Sequence, residues 1–354
     1  MAITPPESSL YADGKIKSCG VKSSQDNRII YFDFLKGIAI IMVVGIHTMP
    51  HVDGYKSLDD VITILVRLLL NCAVPIFLAV SGWMLANKPL ESKQDIIEFY
   101  KRRLPRVYIP LIVWGLGWFT LSMWNEPDIW GAVKSLLQLL TGGFSVYYFV
   151  ALIMQCYLIT PLLTKYYNIG MILCAVLSTI AIIITSWLIN VEGHSFKLLA
   201  YAGPVYLWVV FYMLGIWLRK HESNSYFNVG LTLAIIGYCM SIVETIWYMN
   251  LTGGGVGIKL SSFIFSYGMI IMLVSKQIAN CFYSSRLIRI VAWIGEVSFG
   301  VYLMHMYCIM ACRMVLGKMP WSALWIISLG LTLLLIGIAQ SKLSSKFTYK
   351  YLGF

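Results

Sequence analysis

The chain has 354 residues, 59% of them hydrophobic and only 12% charged, with a net charge of +11. A soluble domain carries about a quarter charged residues, so this composition excludes an ordinary soluble enzyme and points to a multi-pass membrane protein. It also removes nucleic acid as the reason for the positive charge, because lysine and arginine accumulate in the cytoplasmic loops of membrane proteins.

Residues 1–28 are polar and have no apolar core, so they read as a cytoplasmic tail, partly disordered, and not as a signal peptide. A spanning helix needs about 20 apolar residues. Ten such stretches begin near residues 29, 62, 107, 147, 169, 203, 229, 258, 289 and 322. The expected fold is all-α, a polytopic bundle of about ten transmembrane helices over 29–340, with a short basic cytoplasmic tail at 341–354. The second stretch is the least regular. It holds Arg67 and Asn71, then "AVPIFLAVSGWML", where Pro75 is expected to kink the helix. The connections are too short for a soluble domain. Basic residues before the first span, in "KQDIIEFYKRRLPR", at Lys165, Arg219, Lys220, Arg286 and Arg289, and at the carboxyl end put both termini in the cytoplasm. On the other side, "AVKSLLQLL" reads as a short amphipathic helix lying on the outer surface.

The eight cysteines lie mostly in apolar runs, with no CxxC and no accompanying histidine cluster, so they read as buried thiols without disulfides or a metal site. Three constellations carry more chemistry. In the first span, Lys36 and His47 are eleven residues apart. That spacing puts them on one helix face, separated by about 16 Å, with Asp33 a turn below Lys36. Ionisable residues in spans are usually functional. A polar track with a titratable base is one reading; a snorkelling lysine paired to Asp33 and a histidine bonded within the bundle is the other. In "KRRLPR", Arg102, Arg103 and Arg106 sit at the cytoplasmic entry of the third span. Guanidinium groups suit phosphates, yet positive-inside bias also explains them. In "GEVSFGVYLMH", Ser298, Tyr302 and His305 share a stripe that either lines a cavity or makes interhelical hydrogen bonds. Glu244, in the seventh span, is a candidate acid or ion-pair member. Arg67 and Asn71 are one turn apart and are placed to meet a carboxylate. "TGGGVG" follows no strand and makes a poor phosphate loop.

Taken in order along the chain, these motifs resemble the integral-membrane acyltransferase-3 family. The likeness runs through Asp33, Lys36, Gly37 and His47; "VPIFLAVSGWML" with Pro75, Ser81 and Gly82; Arg103 and Arg106; "YYFVALIMQCYLITPLL"; and "VSFGVYLMH". Lys36 stands where many members have arginine, which keeps the charge and loses the bidentate fork. The resemblance implies a bacterial, multi-pass inner-membrane enzyme. It would move an acyl group, commonly acetyl from cytoplasmic acetyl-CoA, to a hydroxyl of a glycan such as O-antigen, capsule or exopolysaccharide, free or lipid-linked.

On that reading His47 is the general base, with Asp33 and Lys36 ordering the track. Arg103 and Arg106, helped by Arg102 and Lys36, hold the CoA phosphates. Ser81, Glu244, Ser298, Tyr302 and His305 support the site, and Trp130 and Tyr147 are candidates for stacking on sugar. Neither a metal nor a nucleic-acid partner is implied; membrane lipids surround the chain, and its oligomeric state is open. The alternatives are a transporter or flippase of a lipid-linked glycan, and the same fold using succinyl or another acyl donor.

Overall fold

The computed structural model describes residues 30–126, 128–144, 146–221, 226–274 and 285–354. The expected tail at 1–28 and the basic Lys276 lie outside them. The described residues are helical throughout, with no strand. Eight helical segments are long and apolar enough to cross a membrane.

The spans show an inverted amphipathicity. Helix α7 (Tyr167–Asn190) buries Gly170, Cys174, Ser178, Ala181, Ser186 and Asn190, while Ile172, Leu173, Val176, Ile180 and Ile183 are exposed. Small and polar groups face the other helices and branched hydrocarbon faces outward. That is the arrangement a lipid solvent selects, because lipid gives apolar side chains no reason to turn inward. Cys239 follows the same rule and is exposed, against the expectation of a buried thiol.

Helix α1 (Ile30–Thr48) is central. The second stretch is broken into α2 (Leu58–Leu70) and α3 (Ala73–Leu85). The break falls at Asn71–Cys72, ahead of Pro75. Pro75 sits in the first turn of α3, where its missing N–H costs nothing. Asn71 instead fixes the break by donating to the Val256 carbonyl at 2.9 Å.

Helix α4 (Lys93–Asn125) starts well before the expected third span, at a capping box of Ser92 and Asp95. Its 33 residues make a rod about 50 Å long, so its basic first turns project beyond a hydrocarbon layer about 30 Å thick. The amphipathic α5 (Ile129–Thr141) folds back on α4, joined by Ser122 to Ser135 at 2.7 Å.

Next come α6 (Tyr148–Lys165), α7, the short α8 (Leu198–Ala202), and α9 (Val205–Lys220), which is buried almost throughout. Helices α10 (Phe227–Thr252) and α11 (Leu260–Val274) form a hairpin. The expected ninth span is divided at Val297 into α12 (Arg286–Glu296) and α13 (Ser298–Leu316). Helix α14 (Trp321–Lys342) completes the bundle.

Two glycine-lined crossings set the frame. A Cβ on Gly37 would overlap the Val291 carbonyl, and one on Gly295 would overlap the Asp33 carbonyl, so α1 and α12 touch backbone to backbone. Gly82 and Gly215 do the same for α3 and α9, against the Tyr212 and Ala79 carbonyls. Small residues at crossings let helices approach until their backbones are in contact.

The carboxyl-terminal residues do not hang free as a basic tail. After α15 (Ser345–Phe347), a π-helical turn over Thr348–Leu352 packs on α4. Trp114 donates to the Leu352 carbonyl at 3.2 Å, and Phe354 lies against Gly300.

Candidate active site

A cavity of about 520 Å³ runs through the bundle between α1, α3, α4, α6 and α13. That volume is typical of small-molecule sites. At the basic end its walls include Lys36, Lys88, Arg103, Arg106 and Glu296; further along they include His47, Arg67 and Asn71. The helical period of α1 explains why Lys36, Val43 and His47 all reach it.

At the basic end, Lys36 pairs with Asp33 at 2.6 Å. Asp33 lies behind the wall and holds Lys36 in place. Arg103 and Arg106, one turn apart on α4, both line the cavity, and Arg106 lies over the Tyr349 ring at 4.3 Å. Arg102 does not join them. It points to the exposed side of α4 and pairs with Glu98, because consecutive residues on a helix diverge by about 100°. Glu296 lines the same end of the cavity, with Asp33 and Lys36 as its charged neighbours.

In the interior, the rings of His47 and His305 are 5.3 Å apart. His305 is fully buried, and its Nδ1 is 2.6 Å from the Tyr302 carbonyl. A carbonyl only accepts, so Nδ1 carries the hydrogen and Nε2 presents a lone pair. That Nε2 is buried with no protein partner. Tyr302 lines the cavity and donates to the Val146 carbonyl, and Ser298 and Ser81 are also wall residues. Ser298 and Tyr302 thus line the cavity, and Tyr302 also bonds across to Val146, just ahead of α6, whereas His305 is not in the wall and bonds within its own helix. Arg67 reaches α1 from α2 and donates from Nη1 to the Ile46 carbonyl at 2.8 Å, one residue before His47.

Several expected residues lie elsewhere. Glu244 is not in the wall; it accepts from the Ser261 amide at 3.0 Å at the start of α11, beside the buried Lys259. Trp130 is 80% exposed on α5. Tyr147 is buried and donates to the Leu303 carbonyl at 2.7 Å, so neither aromatic offers the cavity a sugar-stacking face. Lys88, Tyr148, Tyr201, Tyr349 and Phe354 are wall residues that the sequence did not single out. Their only signal was type, a basic or aromatic residue near a span end, and such residues are common in any membrane protein.

The arrangement offers cations for an anionic ligand at one end of a cavity and an imidazole inside it, all within a bundle. No curated protein and no solved structure matches the chain. The family model described as an acyltransferase domain matches residues 29–340. The chain therefore belongs to the acyltransferase-3 family and is a multi-pass membrane acyltransferase.

Proposed function

We propose that the enzyme transfers acetyl from cytoplasmic acetyl-CoA to a hydroxyl of a cell-envelope or exported glycan, in a bacterial inner membrane with the basic end of the bundle in the cytoplasm. The observation that carries this reading is that Arg103, Arg106 and Lys36 share one cavity with His47. The Lys/Arg-rich start of α4 and end of α9 support the orientation.

Arg103 and Arg106 bind the donor phosphates, Arg106 held by stacking on Tyr349. Lys36, ordered by Asp33, adds charge. His47 takes the proton of the acceptor hydroxyl as its oxygen attacks the thioester carbonyl. The new C–O bond forms, the C–S bond breaks, and the proton on His47 passes to the departing thiolate. Such a base contributes about 10²–10⁴-fold. His305 orients it: the Nε2 lone pair accepts a hydrogen bond from the far nitrogen of His47, directly or through one water. The tautomer imposed by Tyr302 favours this role. Direct transfer requires one base and good positioning, which is itself a large effect.

The test is the acetyl content of surface glycan, read by mass spectrometry, in a deletion strain complemented with wild type or His47→Ala at equal membrane levels. Only wild type is expected to restore acetyl. Full restoration by His47→Ala removes His47 as the base, and a change in glycan export without a change in acetylation moves the assignment to a transporter.

A further inference from the structure

A second, smaller cavity of about 210 Å³ opens at the end of the bundle opposite Arg103 and Arg106. Its walls are Met49, Pro50, His51 and Val52 from the α1–α2 connection, Thr63, Ile64 and Arg67 from α2, and Val256. Among the described residues, Arg67 alone lines both this cavity and the central one.

Both polar side chains that α2 gives this cavity are under-used. Thr63 is 2% exposed, and its hydroxyl is buried with no hydrogen-bond partner. The Nε of Arg67 is likewise buried without one. Thr63 and Arg67 are four residues apart, hence neighbours on one face of α2. Among the described residues no carboxylate lies within 4 Å of Arg67. Of the nearby acids, Asp53 pairs with His51 at 2.8 Å, Asp60 caps the Ser57 amide at 2.9 Å, and Asp59 is exposed in the first turn of α2, about two helical turns from Arg67. Native structures rarely leave buried donors unmade, and a guanidinium without a counter-ion inside a bundle is costly. An anionic ligand in the cavity would supply the Arg67 guanidinium with the counter-charge it lacks, beside a Thr63 hydroxyl that is also unpartnered.

We infer that Thr63 and Arg67 form an anion subsite for the acceptor, so that the acceptor carries a carboxylate or a phosphate near the hydroxyl that is acylated. Donor phosphates do not account for it, since Arg67 contacts the last turns of α1 beside His47. Lys36, which shares the basic end of the cavity with Arg103 and Arg106, is about 16 Å from His47 along that helix. The inference rests on the transfer reading for the word acceptor; the anion site itself does not. The oxyanion comes from an acidic sugar or from the diphosphate of a polyprenyl carrier.

Binding to the purified full chain in detergent, with no acetyl-CoA present, tests the site separately from the transfer chemistry. The probes are glucuronate, inorganic pyrophosphate and, as neutral control, glucose. At least one anion is expected to bind wild type at least tenfold tighter than glucose. The Arg103→Gln/Arg106→Gln double variant, which removes the proposed donor-phosphate site, should keep that preference. In that double-variant background Arg67→Gln should lose it, by about tenfold for a charge-assisted bond. Loss of glucuronate binding in Arg67→Gln identifies an acidic sugar, and loss of pyrophosphate binding there identifies the lipid diphosphate. Should Arg67→Gln fail to fold, Thr63→Val and Arg67→Lys are each expected to weaken the same anion severalfold. The proposal is overturned if wild type shows no anion preference, if that preference survives all the α2 variants, or if the double variant by itself removes it.

Discussion

Two cations sit at the same end of the bundle and have opposite surroundings. Lys259, just before α11, is 0% exposed and fully engaged. Its amine donates to the Thr245 hydroxyl and to the Gly255 carbonyl, the latter at 2.6 Å, with Glu244 close by. Arg67 has one bond to a carbonyl, an unpartnered Nε, and two cavities at its side. A polar cluster whose members satisfy one another ties a loop to a helix. One left incomplete inside a bundle is arranged for something that arrives. Glu244, a candidate acid by its position in a span, belongs to the first kind.

The largest expected effect is at the centre of the open region. His47→Ala should lower the acetyl-transfer rate by about 10²–10⁴-fold without changing the unfolding temperature in detergent appreciably. The contrast between the cations comes next. Lys259→Met breaks a completed cluster and should cost about 1–3 kcal/mol of stability for each buried partner left short of a bond, while the molecules that remain folded keep their activity. Arg67→Met, which removes a single bond to a carbonyl, should cost only about 1–2 kcal/mol and lose activity instead. Thermal unfolding and turnover measured on the same preparations compare the two, and equal stability losses would erase the distinction.

A smaller change is expected at the basic end. Arg103→Gln and Arg106→Gln should each raise the KM for acetyl-CoA about tenfold and leave kcat closer to wild type.

The smallest is a slope. Burial lowers the Lys259 amine from its usual 10.5 to about 7, with Glu244 pulling the other way. Between those values the folded chain binds fewer protons than the unfolded one, so stability should rise with pH from about 7 towards 10 and fall as pH drops through the folded value. Unfolding temperature followed over that range in wild type and Lys259→Met reads the difference; parallel curves would mean that the amine is not held neutral.

How much of this was legible in the sequence depends on the range over which each signal acts. Lys36 and His47 share a face because eleven residues are close to three helical turns, and that requires only the helix. The separation of Arg102 from Arg103 and Arg106 is equally local and was available from the same period, but charge type obscured it. The break ahead of α3 was misplaced because Pro75 is the visible breaker, whereas the operative residue is Asn71, bonded to a loop far along the chain. The facing rings of His47 and His305, and Tyr349 beneath Arg106, come from helices that meet only in the folded bundle. No spacing rule carries information of that kind. The basic carboxyl end reads as a short tail because its lysines stand out, whereas the contacts that dock it, Trp114 with the Leu352 carbonyl and Phe354 against Gly300, are made with helices distant in the chain.

Phe354 is among the residues lining the central cavity and is only 8% exposed. A small environment-sensitive dye placed near Phe354 would therefore report arrival of the proposed donor in real time.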